Sequence, residues 1–399
     1  MLSDVYFPRV NGVSTSIRTF VRWLDARGHR VTLVAPDYGD DGAHDPPGQV
    51  QTRRLPARTI FFDPEDRLVR GDAVAAAAER LAGEGAWDLI HVHTPFRAHQ
   101  LGVRLSRRTR TPVVETYHTF FEEYVGHYLP WLPEPPLRWG ARWASRRMCH
   151  EVDHLIVPTG EMAGVLEGYG VRTPSTVLPT GVDLSEFGRG DGAAFRARNG
   201  IHPGRRVIVT VSRLAVEKNI AFLLRMLVRL REQVPDILLL IAGEGPDGPR
   251  LRRLVRELGL DEHVRFFGNL DRRTSLLDCY RAGDAFVFAS PTETQGLVLI
   301  EAMAQGVPIV STAVMGTATV LRGARSARVA PEDETGFAAE VAALLGDPAA
   351  LRALADAGPA DARRWDVEPL MSRAEDLYRR LAGTRAPNGG RLRAGSQAR

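Results

Sequence analysis

Ser290-Pro-Thr-Glu-Thr-Gln-Gly-Leu-Val-Leu-Ile-Glu301-Ala-Met-Ala-Gln-Gly306 stands between two short apolar runs, Ala285-Phe-Val-Phe288 and Val307-Pro-Ile-Val310. The order reads strand, polar loop, helix, strand, which predicts parallel strands crossed over by a helix. A loop at the carboxyl end of a strand is where open α/β sheets bind ligands. The helix expected from about Gly296 would present free backbone N–H groups and a positive dipole end there, a setting that suits phosphate. Glu293 falls in the loop and Glu301 in the helix, seven residues between them. They can therefore meet different parts of one extended ligand. Taken singly, they are also what a capping loop acid and a solvated helix residue look like.

The same alternation extends in both directions. Strands are expected at Val31–Val34, Leu89–Val92, Val113–Thr116 and Leu155–Val157, then at Val207–Val211, Ile237–Ile241 and Val264–Phe267. Helical periodicity is clear at Ser14–Arg27, Asn219–Gln233, Pro249–Leu258 and Gly296–Gln305. The segment Pro174–Gly192, rich in Pro, Gly and Asp, reads as a join between two Rossmann-type α/β domains, residues 1–179 and 180–364. Residues 386–399 offer little to bury and are expected to be a disordered tail. Only Met1-Leu2 precede Ser3-Asp4, so the first strand is expected to be very short, or the sequence begins inside it.

Composition narrows the class. The 399 residues are 44% hydrophobic and 25% charged, which excludes a fibrous or wholly disordered chain. Two cysteines, Cys149 and Cys279, cannot make a disulfide framework and read as reduced thiols. No apolar run is long enough to span a bilayer, and no basic-then-apolar leader opens the sequence, so a cytoplasmic protein is expected. The net charge of +4 is unevenly spread. Residues 1–90 carry 11 Arg and 13 acids, a net of −2, whereas residues 91–150 carry 9 Arg and 4 acids, a net of +5.

Lys218 is the one lysine in a chain that otherwise uses arginine. It lies in Val211-Ser-Arg213-Leu-Ala-Val-Glu-Lys218-Asn, again a strand running into a loop and helix. A planar fork and a point charge at a strand's carboxyl end suit a diphosphate. The loop Phe7-Pro-Arg-Val-Asn11-Gly12 precedes a helix, with Gly12 free to adopt positive φ near a ligand, or to serve as plain turn chemistry. Gly243-Glu-Gly245 follows a strand but falls short of a dinucleotide fingerprint, which counts against a nicotinamide dehydrogenase. His91 and His93 alternate along one strand without Cys or acidic partners at metal-ligand spacing, so no metal site is expected. His118 follows a strand directly, at the crevice edge of the first sheet, where it is either structural or part of a site.

Together these pieces resemble the retaining glycosyltransferases of family 4, with the GT-B fold, over nearly all of residues 3–385. The Glu293/Glu301 motif is the strongest element. Ser212-Arg213-Leu214 with Glu217-Lys218-Asn219, Ala242-Gly-Glu-Gly-Pro246, Phe267-Gly268 and Pro179-Thr-Gly-Val-Asp183 support it in order. The resemblance implies a hexosyltransferase using a nucleotide sugar such as UDP-glucose or GDP-mannose. The donor would be held by residues 180–364 and the acceptor by residues 1–179, with residues 365–385 forming a helix that crosses back to the N-terminal domain. Arg213 and Lys218 would bind the diphosphate, with no metal and no cofactor. Glu301 would bond the ribose hydroxyls, and Glu293 would lie beside the donor sugar. Backbone N–H groups near Gln295, Gly296 and Leu297 would reach the sugar hydroxyls. His118 and Gly12 would approach from the opposite domain. Departures are Gln295, where members often carry an aromatic, Met315-Gly-Thr-Ala-Thr319 in place of Gly-Gly-x-x-Glu, and Asn11-Gly12 in place of paired glycines.

The stretch Thr116–Pro130 resembles the subgroup that glycosylates diacylglycerol or phosphatidylinositol. The 18 residues Pro130–Arg147 hold three Trp and four Arg. On a helix from about Leu137, Trp139 and Trp143 are i, i+4 neighbours, as are Arg138, Arg142 and Arg146. With Trp131 they suit an anionic membrane surface, hence a lipid acceptor and a peripheral place on the inner membrane face. The competing reading packs the Trp face on the sheet. No nucleic-acid motif accompanies these residues. Two functional alternatives remain at this stage: a soluble sugar or polysaccharide acceptor, and a non-catalytic membrane- or partner-binding module.

Overall fold

The computed structural model describes residues 1–39, 42–60, 63–118 and 134–383. Trp131 and the tail 386–399 lie outside the described residues. The N-terminal domain runs α1 (Gly12–Ala26), β1 (Thr32–Pro36), β2 (Gln51–Leu55), β3 (Ala57–Ile60), β4 (Asp63–Val69), α2 (Gly71–Gly83), β5 (Ile90–Val92) and α3 (Arg97–Thr109). It continues with β6 (Val113–Thr116), α4 (Glu134–Cys149), β7 (His154–Val157), α5 (Gly160–Gly168) and β8 (Ser175–Val177).

Two parallel groups, β1-β2 and β5-β6-β7-β8, make its main sheet. They are joined through one residue, Leu2, which bridges Val34 of β1 and Val92 of β5. Leu2 N donates to His91 O at 2.8 Å and Ser3 N to Val34 O at 3.0 Å. The short first strand expected from the sequence is thus a single bridge in the middle of the sheet. Asp4 follows at once and turns to cap α3. Its carboxylate accepts from the backbone N–H of Phe96, Arg97 and Ala98 and from the Thr94 hydroxyl, the contacts a local N-cap would otherwise make. Burial nevertheless pushes this carboxyl up to about 6. The polar strands β3 and β4 pair antiparallel and carry too little apolar alternation to be read from sequence.

The C-terminal domain comprises α6 (Gly192–Arg198), β9 (Val207–Val211), α7 (Ile220–Gln233), β10 (Leu238–Ala242), α8 (Gly248–Glu257), β11 (Val264–Gly268) and α9 (Ser275–Ala282). Then come β12 (Ala285–Phe288), α10 (Leu297–Ala304), β13 (Ile309–Ser311), α11 (Gly316–Leu321), β14 (Ala327–Val329), α12 (Glu334–Leu345) and α13 (Pro348–Ala362). The sheet order is β11-β10-β9-β12-β13-β14, all parallel. Every residue of β9 and β10 is buried, as expected of a sheet covered by helices on both faces. The order reverses between β9 and β12, which opens a crevice at their carboxyl ends.

The chain crosses between the domains twice, and the crossings are bonded together. Val182 N donates to Trp365 O at 2.9 Å, and Val367 N to Val182 O at 3.1 Å. A side chain at Gly181 would place its Cβ 2.6 Å from Val367 Cα, so glycine is what lets the strands approach. After the second crossing α14 (Val367–Gly383) lies on the N-terminal domain. Its Leu370, Met371, Ala374 and Leu377 pack with Phe20, Val114, Ile156 and Leu178.

Candidate active site

A cleft of about 1370 Å³ opens between the domains, lined from both sides. Arg213, Lys218, Glu293, Glu301, Gln295, Gly296, Leu297, His118 and Gly12 all line it. On the C-terminal wall, the loops after β9 and β12 are tied into one unit. Asn219, at φ 54°, donates its side-chain amide to Ala289 O at 3.2 Å. The hydroxyls of Ser290 and Thr292 both reach Glu217 O at 3.3 Å. This joining brings the two charged motifs together, and Lys218 Nζ donates to Glu293 Oε1 at 2.5 Å. Arg213 approaches the buried Glu217 carboxylate at 4.0 Å. The incomplete glycine motif has a supporting role. A Cβ at Gly243 would fall 2.0 Å from Ser212 O, and one at Gly245 would fall 2.4 Å from Leu214 O. Glycine there allows Leu214 N to donate to Glu244 O at 2.8 Å, fixing the loop that carries Arg213.

Glu301 is 2% exposed and held on both oxygens. Tyr280 donates its hydroxyl to Oε2 at 2.8 Å, and Arg272 pairs with Oε1. Burial and the neighbouring carboxylate push the Tyr280 hydroxyl well above its ordinary value, so it stays a donor. Gly296 opens α10 at φ 90°, a conformation few side chains tolerate. Gln295 is committed to the interdomain crossing. Its Nε2 donates to Thr180 O at 2.9 Å and its Oε1 accepts from Thr180 N at 2.8 Å. Any part it takes in holding a donor therefore falls to its backbone. The Met315 loop, which departs from the Gly-Gly-x-x-Glu pattern, braces this wall from behind. Gly316 N donates to Glu293 O at 2.8 Å. A Cβ on Gly316 would sit 2.4 Å from Gln295 N.

On the N-terminal wall, Asn11 Oδ1 accepts from Ser14 N at 2.8 Å and caps α1. Gly12 is not among the positive-φ glycines, which corrects the sequence expectation. Its Cβ position is open space, so no neighbouring protein atom requires glycine there. His118 Nε2 meets His93 Nδ1 at 3.3 Å, and burial brings its imidazole down to about 4. The nitrogens of His91 are engaged by Thr116 and, from α14, by Tyr378, at 2.7 and 2.5 Å. Arg9, Arg18, Arg22 and Trp23 also line this wall. Sequence reasoning passed over these arginines, and Arg272 with them, because arginine is the chain's ordinary cation and carries no distinguishing signal.

The family model described as Glycosyltransferase Family 4 matches residues 10–186, and that described as Glycosyl transferases group 1 matches residues 191–361. The alpha-monoglucosyldiacylglycerol synthase of Streptococcus pneumoniae is 32% identical across 78% of this chain and 70% of its own length. The chain belongs to the family 4 glycosyltransferases. This glycosyltransferase is also 34% identical to the D-inositol 3-phosphate glycosyltransferase of Mycobacterium sp. strain KMS, over 77% of the chain and 68% of the relative. Its fold matches sucrose-phosphate synthase from Thermosynechococcus elongatus with a TM-score of 0.78 over 94% of both chains, at 23% identity. Anabaena HepE, in complex with UDP-glucose, matches with a TM-score of 0.74 over 94% of this chain and 99% of its own, at 18% identity. The architecture is GT-B, as the motif set implied.

In this glycosyltransferase the Trp/Arg helix is α4, on the N-terminal domain. Ala141, Ser145 and Cys149 form its buried stripe, and Tyr117 donates its hydroxyl to Ser145 Oγ at 3.0 Å. Trp139 and Trp143 are 69% and 52% exposed. Arg142, Arg146 and Arg147 are exposed and Arg138 is half-buried. The Arg147 guanidinium lies over the Trp143 ring at 5.6 Å. The indoles face outward, so the reading that packs them on the sheet is set aside. Among the described residues, no helix is long and apolar enough to cross a membrane.

Proposed function

We propose that this family 4 glycosyltransferase moves glucose or mannose from a nucleotide diphosphate sugar to a lipid, diacylglycerol or phosphatidylinositol, presented at an anionic membrane surface. The observation that carries the reading is the outward Trp139–Trp143 face with its arginines, on the domain opposite the charged donor wall. Exposed indoles beside guanidinium groups suit a headgroup layer. One relative's name carries diacylglycerol and another's inositol phosphate, and HepE with UDP-glucose supports a nucleotide-sugar donor.

Arg213 and Lys218 line the cleft at the switch point of the sheet, and their charge suits the donor's diphosphate. Their charge would offset the charge growing on the departing nucleoside diphosphate, so no metal is needed. Lys218 would divide its N–H donors between a phosphate and Glu293, leaving Glu293 beside the donor sugar. Glu301, oriented by Tyr280 and Arg272, would accept from the ribose hydroxyls. Backbone N–H groups from Gln295 to Leu297 would meet the sugar, with His118 and Gly12 closing from the other wall. In the reaction the bond from the sugar's C1 to the diphosphate oxygen breaks. The acceptor oxygen bonds C1 from the same face, and its proton passes to the departing diphosphate, which retains the configuration. Arg9, Arg18 and Arg22 on the acceptor wall favour an acceptor that carries phosphate, and thus phosphatidylinositol over diacylglycerol.

The test is release of UDP and of GDP from UDP-glucose and GDP-mannose, with EDTA present, on anionic liposomes holding diacylglycerol or phosphatidylinositol. Release from one donor that depends on one lipid is the expected result. Release raised by soluble sugars or inositol phosphate, and indifferent to liposomes, overturns the lipid acceptor. No release from either donor by folded protein overturns the assignment of glucose or mannose as the sugar transferred.

A further inference from the structure

His118 reaches the cleft from the end of β6, and behind it lies His93, 1% exposed. The two ring planes lie 17° apart, with His118 Nε2 and His93 Nδ1 at 3.3 Å. His93 is held on its other sides as well. The His91 ring is 3.8 Å away between centroids, and Phe20 stands edge-on at 5.7 Å. His93 Nε2 is buried with no hydrogen-bond partner among the described residues. That last fact restricts where protons can be. A buried N–H without an acceptor is more costly than a buried lone pair without a donor, since native structures very rarely tolerate the former. Neutral His93 therefore keeps its proton on Nδ1, the nitrogen that has a partner.

We propose that His93 is a positioning residue that donates its Nδ1–H to His118 Nε2 and so fixes His118 as the neutral Nδ1–H tautomer. A neutral imidazole carries one proton, so a lone pair held at Nε2 leaves the N–H on Nδ1. His118 then offers a hydrogen-bond donor to a ligand oxygen in the cleft, and its basic nitrogen faces inward, away from the chemistry. Its role toward a sugar hydroxyl is donation, with proton abstraction excluded. The assignment of the tautomer stands on the packing alone; its kinetic consequence rests on the reading of His118 as a contact of the donor sugar.

The experiment is two-bond ¹H–¹⁵N correlation on the full chain labelled at histidine nitrogen, at neutral pH, with His118 assigned from His118→Asn. The expected result is a protonated-type shift for His118 Nδ1 and a lone-pair shift for Nε2, the reverse of the form histidine prefers in water. His93→Phe removes the donor, and His118 is expected to revert to Nε2–H. His93→Asn places an amide N–H near the lost Nδ1–H and is expected to restore the Nδ1–H form. With UDP-glucose, kcat is expected to fall roughly tenfold in His93→Phe, about the worth of one hydrogen bond, and to recover in His93→Asn. A wild-type His118 protonated at Nε2 overturns the proposal without reference to any variant, so loss of folding in His93→Phe does not shelter it. Correct shifts with unchanged kcat would leave the tautomer standing and overturn the role of His118 at the sugar.

Discussion

Replacing Tyr280 with Phe removes one oxygen from a fully buried ring and leaves the packing against Phe286, 5.5 Å between centroids, in place. What is lost is the 2.8 Å hydrogen bond to Glu301 Oε2. Glu301 is 2% exposed, so water cannot replace the donor, while Arg272 still holds the other oxygen. A hydrogen bond to a charged group contributes about 1.5–3 kcal/mol, and no cavity term adds to it. For a domain of this size each kcal/mol moves the unfolding midpoint by about 2–4 °C, so a fall of roughly 3–12 °C is expected by calorimetry. Affinity for UDP should weaken in step, because the carboxylate assigned to the ribose is then held by Arg272 alone. In a Glu301→Gln background the same Tyr280→Phe change should cost only about 0.5–1.5 kcal/mol, a coupling that a double-mutant cycle reads directly. A cost below about 0.5 kcal/mol in both backgrounds would refute the claim that Tyr280 orients Glu301.

Three further outcomes are expected. Lys218→Met should lower kcat for nucleotide-sugar turnover by about 10²–10³ with the fold intact by circular dichroism, since it removes the cation proposed to offset charge on the leaving diphosphate; near-normal turnover would remove Lys218 from the mechanism. Stability should fall on acidification from about pH 6.5 towards pH 4, because burial holds His91, His93 and His118 below their unfolded value and the unfolded chain then binds more protons. Asp4, raised to about 6, acts in the opposite sense between pH 6 and 4. His118→Asn should therefore flatten the fall by up to about 1.4 kcal/mol per pH unit, read from urea midpoints across that range. Trp139→Ser with Trp143→Ser should weaken binding to anionic liposomes at least about tenfold without moving the melting temperature, because neither indole contributes to the core; unchanged sedimentation with vesicles would end the membrane role of α4.

Much of this architecture was legible locally. Buried parallel strands announce themselves as unbroken apolar runs, so β9, β10 and β12 were read within a residue or so, and the polar loops after β9 and β12 followed as loops at the carboxyl ends of the sheet, where the cleft opens. Strands β2 to β4 were not legible, because β2 is mostly polar and the antiparallel pair β3–β4 lacks the period-two signal. Tyr280 and Arg272 were missed for a different reason. Each lies in an ordinary helical or loop stretch and gains meaning only from the carboxylate that folding places beside it.

The sequence by itself determined the two-sheet plan and the composition of the charged set, because strand period, loop polarity and helix starts are short-range properties. Tertiary structure alone decided how those pieces face one another. Periodicity puts Trp139 and Trp143 on one side of α4 but does not say which way that side turns; the small stripe of Ala141, Ser145 and Cys149 fits against the domain, and the indoles are left outside. Gln295 looks like a ligand contact until Thr180 arrives, 115 residues away in sequence, to bond both ends of its amide. The proton on His118 depends on a second histidine 25 residues earlier, brought behind it by the pairing of β5 with β6. Contacts between residues so far apart follow from how sheets and helices pack, which no local pattern records.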